Sequence, residues 1–289
     1  MIREATTRED LAAFCGVWAA ITPREPMTPE QLLRRKERQP ERLYLLAEEG
    51  RPVGLGLLAP TDSPGRIFVG VRVLPESRRR GTGSALFELL LTHARALKPD
   101  WISTFVSEAD RDSVAWATQR GFEEYRREVE LVLELRGDEQ APPPPDGIEI
   151  VEVTPNLHEA AYALTQEAWE DLPLTFPVEL AAFDVWLEEE MPGPISFAAM
   201  EDGEMVGFAG LIARDAPGLL EHGLTATRRP HRRRGIATAL KQTQVAWAAA
   251  NGYRELLTFT QDGNEGMQAI NLALGYVVQP AWISMRRRP

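Results

Sequence analysis

Arg78-Arg79-Arg80-Gly81-Thr82-Gly83-Ser84-Ala85-Leu86 returns 154 positions later as Arg232-Arg233-Arg234-Gly235-Ile236-Ala237-Thr238-Ala239-Leu240. Each stretch follows a strand-like run (67–74 and 224–227) and opens an amphipathic helix. A glycine-bearing turn at a helix start presents several backbone N–H groups at the positive end of the helix dipole, which suits a pyrophosphate. Further landmarks keep the offset: Gly121-Phe122 matches Gly275-Tyr276 at 154, and Gly50 to Gly54 matches Gly203 to Gly207 at 153. A period this long is a duplicated domain rather than an array of short repeats.

Four prolines, Pro142 to Pro145, interrupt the repeat and favour an extended spacer. The expected division is therefore 1–137, a linker at 138–147, and 148–289. The 289 residues suffice for two domains with their own cores. No apolar run is long enough to span a membrane, and the N-terminus opens directly into a strand pattern, so a cytoplasmic location is expected. The single cysteine, Cys15, excludes an internal disulfide and reads as a buried small hydrophobe. The chain holds 32 basic and 43 acidic residues. Residues 1–137 balance at 21 of each, the linker adds three acids, and 148–289 holds 11 basic against 19 acidic. That acidic half argues against a nucleic-acid partner. Arginine outnumbers lysine 29 to 3, as genome composition would give.

The periodicity places, in the first half, strands at 2–6, 43–48, 52–59, 67–74, 101–106, 122–127 and 129–135. Helices fall at 8–20, near 28–30, 81–97 and 110–119, with Thr7 as an N-cap and Pro29 at a first helical position. The second half repeats this order: strands at 148–153, 195–201, 204–213, 219–227, 254–260, 276–279 and 281–287, and helices at 156–171, 178–190, 235–251 and 264–274. Hairpins mixed with one strand–helix–strand unit per half predict an α+β fold: two domains, each a mixed, mostly antiparallel sheet flanked by helices.

These motifs resemble the GNAT superfamily of acyl-CoA-dependent N-acyltransferases, present twice. Its Gln/Arg-x-x-Gly-x-Gly/Ala signature is matched by Arg78-x-x-Gly81-x-Gly83 and Arg232-x-x-Gly235-x-Ala237. Its later Asn-x-x-(Ala/Met) signature is matched by Asn264-x-x-Met267, and more weakly by Asp110-x-x-Ser113. The tandem layout is similar to mycothiol synthase-type proteins. The resemblance implies acetyl-CoA as cofactor. It would be held by Thr225, Ala226, Thr227, Arg232 to Arg234, Gly235, Ile236, Ala237, Thr238 and Asn264. In the first half the matching residues are Val71, Val73, Arg78 to Arg80, Gly81, Thr82, Gly83 and Ser84.

Attack on a thioester needs a neutral amine, hence a base. Glu221 lies 14 residues before Gly235, a spacing that resembles the catalytic glutamate of histone-acetylating members. Ile67 is its counterpart by the same offset and is no base. His222 and a water chain remain alternatives, since adjacent strand residues face opposite ways. The family's tyrosine acid, four residues before the Gly-Phe pair, is replaced by Ala117 and Asn271. Asn271 would then hydrogen-bond the sulfur or the pantetheine arm. Backbone N–H groups near Leu224 to Ala226 would meet the oxyanion. The segment that joins the first two helices of the second half is acidic and aromatic: Glu167, Glu170, Asp171, Glu179, Asp184 and Glu188 to Glu190, with Trp169, Phe176, Phe183 and Trp186. It suggests a small cationic amine as acceptor. Alternatives are an acyl-CoA-binding sensor or scaffold, and a protein N-terminal or lysine acetyltransferase. His93, His158, His222 and His231 show no metal-ligand spacing.

Overall fold

The computed structural model describes every residue except 62, 172–179, 190, 192, 262 and 263, and the side chains of 189 and 261. In chain order the strands are β1 (Ile2–Glu4), β2 (Leu43–Glu48), β3 (Pro52–Pro60), β4 (Arg66–Val73), β5 (Trp101–Ser107), β6 (Glu123–Glu134), β7 (Glu149–Glu152), β8 (Ile195–Glu201), β9 (Glu204–Ala213), β10 (Leu219–Thr227), β11 (Glu255–Gln261), β12 (Val277–Val278) and β13 (Trp282–Arg287). The helices are α1 (Arg8–Ile21), α2 (Pro29–Arg38), α3 (Thr82–Ala96), α4 (Arg111–Thr118), α5 (His158–Trp169), α6 (Phe183–Glu189), α7 (Ile236–Ala250) and α8 (Glu265–Ala273). Thr7 and Thr28 each close a capping box, with Pro29 at the start of α2. The expected helix at 178–190 begins only at Phe183, and Phe176, Glu179 and Glu190 lie outside the described residues.

The chain divides into two compact units. The first joins Met1–Arg127 to Ala281–Pro289, and the second is Glu128–Pro280. In the first unit β1, β2, β3 and β4 pair antiparallel, β4 runs parallel to β5, and β13 pairs antiparallel with β5. In the second, β7 to β10 pair antiparallel, β10 runs parallel to β11, and the end of β6 lies antiparallel to β11 and β12. Both sheets are mixed and mostly antiparallel, with helices against them.

The units do not follow the boundaries expected from the repeat. Instead of separate strands at 122–127 and 129–135, β6 is continuous, and its residues from Glu128 on belong to the second unit. The second repeat's last strand, β13, completes the first unit. Each sheet is therefore closed by the other repeat's final strand. The proline-rich segment expected as an inter-domain linker belongs to the second unit, where Pro145 Cγ stands 3.5 Å from where a Cβ on Gly235 would lie.

Apolar alternation builds a core on both faces of each sheet. In the first unit α3 covers one face through Leu86, Phe87, Leu90 and Leu91, and α1 covers the other through Leu11, Phe14 and Trp18. In the second unit α7 covers one face through Ile236, Leu240, Val245 and Ala248, and α5 and α6 cover the other through Ala161, Leu164 and Trp186. Gly54 and Gly207 let α3 and α7 approach closely. A Cβ on Gly207 would stand 2.8 Å from Ile236 Cγ2 and 3.0 Å from Leu240 Cδ1.

Candidate active site

The two glycine turns share one backbone. A 3-10 turn (Pro75–Ser77; Arg229–His231) leads to an extended arginine (Arg78; Arg232), then a left-handed arginine (Arg79, φ 63; Arg233, φ 64), then a left-handed glycine (Gly81, φ 88; Gly235, φ 83) as the helix N-cap. The first helical bonds run from Ala85 N–H to Gly81 O and from Ala239 N–H to Gly235 O, both 3.0 Å. Upstream of them, the amides of Thr82, Gly83 and Ser84, and of Ile236, Ala237 and Thr238, have no carbonyl one turn back. Each turn is thus an anion cradle. Glycine is needed at 81 and 235 for its positive φ. At 83 a Cβ would meet Val73 and Val71 only at 3.6 and 3.8 Å, so alanine serves equally at 237.

The outer arginines brace the turn. Arg78 and Arg232 each donate from Nε to a strand carbonyl, of Val73 and Thr227, at 3.1 Å. Arg78 also pairs with Asp110, Arg80 with Glu49, Arg232 with Asp171 and Arg234 with Glu201. His231 also joins Glu201, at 3.1 Å. Arg79 and Arg233 are exposed and have no ion-pair partner among the described residues, which leaves them available for a phosphate. Asn264 caps α8 by accepting from Met267 N–H at 3.4 Å, as Asp110 caps α4 by accepting from Ser113 N–H at 3.0 Å.

Both parallel strand pairs stop early. β4 and β5 pair from Arg66 opposite Trp101 to Phe68 opposite Ser103, and β10 and β11 from Leu219 opposite Glu255 to Glu221 opposite Leu257. Beyond these points the strands part. The second unit adds a β-bulge: on β9, His222 faces Leu211 and Thr225 faces Ala209, so Gly223 and Leu224 stand against Gly210 alone. The first unit keeps a regular ladder through β3 and β4. The extra residue moves the equivalence from 153 before the bulge to 154 after it. Glu221 therefore corresponds to Phe68, correcting the expected match to Ile67.

The bulge separates two environments. Glu221 and Ile212 are cross-strand neighbours on the face covered by α5 and α6, where Arg214 Nη1 pairs with Glu221 Oε2 at 3.1 Å. Beside them is a cavity of ≈ 30 Å³ lined by Thr165, Trp169, Leu180, Trp186, Phe208, Ile212 and Leu224, with Gly210 and Gly223. The expected carboxylate lining is not found among the described residues. Glu167 accepts from Arg229 N–H at 2.7 Å and pairs with Arg228, Glu170 pairs with Arg229, and Asp171 pairs with Arg229 and Arg232. Those two arginines hold the Asp171 carboxyl down to about 2. In the first unit Arg72 lies on the corresponding face, with its guanidinium 5.2 Å from the Trp18 ring.

The opposite face, beneath α7, is polar where the strands part. Thr225 and Thr227 stand there opposite Ala209 and Gly207, and Thr258 and Thr260 alternate onto the same face of β11. His222 is buried there too, with Nδ1 2.8 Å from Gln244 Oε1 and Nε2 against the Tyr276 hydroxyl. Burial, and then Lys241, push its pKa well below the usual histidine value, so the imidazole is neutral. Asn271 is fully buried, and neither its Oδ1 nor its Nδ2 has a partner among the described residues. The same holds for Thr225 Oγ1, Thr227 Oγ1 and Gln244 Nε2. Buried polar groups left this way cost free energy unless a ligand or water meets them. Their counterparts in the first unit are Val69 for His222, Val71 and Val73 for the threonines, Leu90 for Gln244, Ala117 for Asn271 and Phe122 for Tyr276, all within or against one apolar core. A pantetheine arm, with its two amides, fits the second set and not the first.

A model of the acetyltransferase (GNAT) family matches residues 8–122 and again 160–276. No curated protein matches the sequence. Among solved structures, the chain is similar to a GCN5-related N-acetyltransferase from Sphaerobacter thermophilus (TM-score 0.77, 21% identity, covering 100% of this chain and 96% of that one). It is also similar to a tandem GNAT protein from the clavulanic acid biosynthesis pathway (TM-score 0.78, 20% identity, 100% and 98% covered). A putative acetyltransferase from Pyrococcus horikoshii is more distant (TM-score 0.57, 18% identity, 100% and 89% covered). Among the described residues no helix is long and apolar enough to cross a membrane, and no acidic, histidine or cysteine cluster could hold a metal ion. With both glycine turns, both parted strand pairs and two matches to one family model, this chain belongs to the acetyltransferase (GNAT) family, carries its domain twice, and is an acyltransferase.

Proposed function

We propose that the chain transfers an acetyl group from acetyl-CoA to a primary amine in its second unit. The observation that carries this reading is the contrast between repeats. The same gap is lined by orphaned polar groups beneath α7 and packed with valine, leucine and phenylalanine beneath α3. The amides of Ile236, Ala237 and Thr238, with Arg233, would hold the pyrophosphate, and Thr225, Thr227 and Asn271 would meet the arm. The bound cofactor supplies an activated acyl carbon. The bulge at Gly223 and Leu224 takes strand amides out of the β9 ladder, where they can stabilise an oxyanion. Glu221, on the face of the cavity, would accept the amine's proton directly or through water. The first unit would act as a structural partner.

The cavity's aromatic and aliphatic lining favours an acceptor with an apolar body over a polyamine. Aromatic alkylamines should therefore exceed spermidine in kcat/KM by at least tenfold. The reverse order would favour a polycationic acceptor over one with an apolar body. Placement of the cofactor is tested by calorimetry with acetyl-CoA on Gly83→Asp and Ala237→Asp. An aspartate in the first helical turn favours the helix dipole but repels a phosphate. Loss of binding in Ala237→Asp alone is the expected result. Loss in Gly83→Asp would place the cofactor in the first unit.

A further inference from the structure

α7 presents one stripe of Ala237, Lys241, Gln244 and Ala248 along the parted strands, at i, i+4, i+7 and i+11 spacing. Gln244 sits level with His222, to which it is hydrogen-bonded. Lys241 is one turn nearer the glycine turn, level with the bulge. It is 1% exposed, among the largest fully buried side chains. Its ammonium has no carboxylate partner among the described residues and stands 5.9 Å from the centroid of the Tyr276 ring. The titratable groups facing it are His222 from β10 and Tyr276 beyond α8. Both are neutral there, since burial keeps the imidazole unprotonated and raises the Tyr276 phenol above its usual range.

A buried cation without an anion is costly. The chain uses only three lysines among its 32 basic residues, and an arginine could not release a proton in such a place. The first unit has Phe87 at this position, packed against Trp116 and Phe122. The family's tyrosine acid is absent, with Asn271 in its place. Resting on the functional reading above, we propose that Lys241 faces the sulfur of the acyl donor in the second unit and donates the proton that the departing thiolate needs. In that step the amine nitrogen bonds to the acyl carbon. The carbon–sulfur bond breaks with its electron pair on sulfur, and the Lys241 ammonium protonates sulfur. The amine's surplus proton leaves to Glu221 or water, and Lys241 regains its own from water as product departs. Burial lowers the Lys241 pKa to about 7, which matches such a donor to neutral pH.

The test compares coenzyme A with its desulfo analogue, which lacks the sulfur, by calorimetry at pH 8, where Lys241 is mostly unprotonated and can accept from the thiol. On the unaltered protein coenzyme A should bind at least fivefold more tightly than the desulfo analogue. In Lys241→Met and Lys241→Gln that preference should vanish, while affinity for acetyl-CoA changes less than fivefold and kcat falls at least a hundredfold. Equal affinity for the two probes on the unaltered protein overturns the proposal, and that measurement needs no variant to fold. So does a preference that persists in either variant. Failure of coenzyme A to bind at all would instead overturn the underlying assignment of the cofactor.

Discussion

Single side chains separate the two repeats more sharply than any motif does. Lys241 carries a stability signature of its own. It loses its proton near 7 in the folded chain and at its ordinary 10.5 when unfolded. Between those values the unfolded state binds one more proton, so stability rises with pH through that window. Lys241→Met removes the dependence. Its gain in melting temperature over the unaltered protein should be largest at or below pH 7 and should shrink toward pH 10. Gly207 makes an opposite case: Gly207→Ala forces a methyl against Ile236 and Leu240 and should cost about 1–3 kcal/mol in denaturant unfolding. The sequence disclosed the glycine turns, because a left-handed cap before a helix has few substitutes. It concealed the polar lining, because periodicity separates inside from outside and not solvated from ligand-facing. The signal was present in the repeat itself, where Phe87, Leu90, Ala117 and Phe122 give way to Lys241, Gln244, Asn271 and Tyr276.

Among elements, β10 distinguishes the units. Its extra residue was visible as a change of offset, from 153 at Gly54 and Gly207 to 154 at Gly81 and Gly235, but a sequence cannot say where an inserted residue settles. The ladder places it at Gly223 and Leu224. Deleting Gly223 should restore the regular pairing of β4, keep the melting temperature within a few degrees, and lower turnover at least a hundredfold. Unchanged kcat would separate the bulge from catalysis. In the neighbouring segment composition did not separate paired acids from free ones. Acids at the end of α5 suggested a charged cleft, but Glu167, Glu170 and Asp171 are engaged by arginines 58 to 62 positions downstream. Pairing across such a separation leaves no local pattern.

For the molecule as a whole, the repeat was read correctly from sequence, yet compactness does not respect it. A cut at the proline-rich segment removes β13 from the first sheet and the end of β6 from the second. Fragments 1–137 and 148–289 should each unfold without a cooperative transition when alone, and should recover one when produced together. Cooperative melting of either fragment by itself would show the exchanged strand to be dispensable. Sequence could not reveal the exchange, since both closing strands carry a strand's alternation and alternation does not name the partner edge.

The exchanged strand also sets an order of events during synthesis. Ser107 on β5 pairs with Trp282 on β13, 175 positions later (282 − 107). At roughly 5–20 residues per second, a ribosome needs on the order of 10–35 seconds to make that stretch. Throughout that interval β5 has an unpaired edge, with Phe105 on it still exposed even in the finished fold. The earliest-made part of the chain is thus the last to be sealed, and a nascent chain stalled anywhere before residue 282 offers that edge to chaperones or to its neighbours on the same polysome.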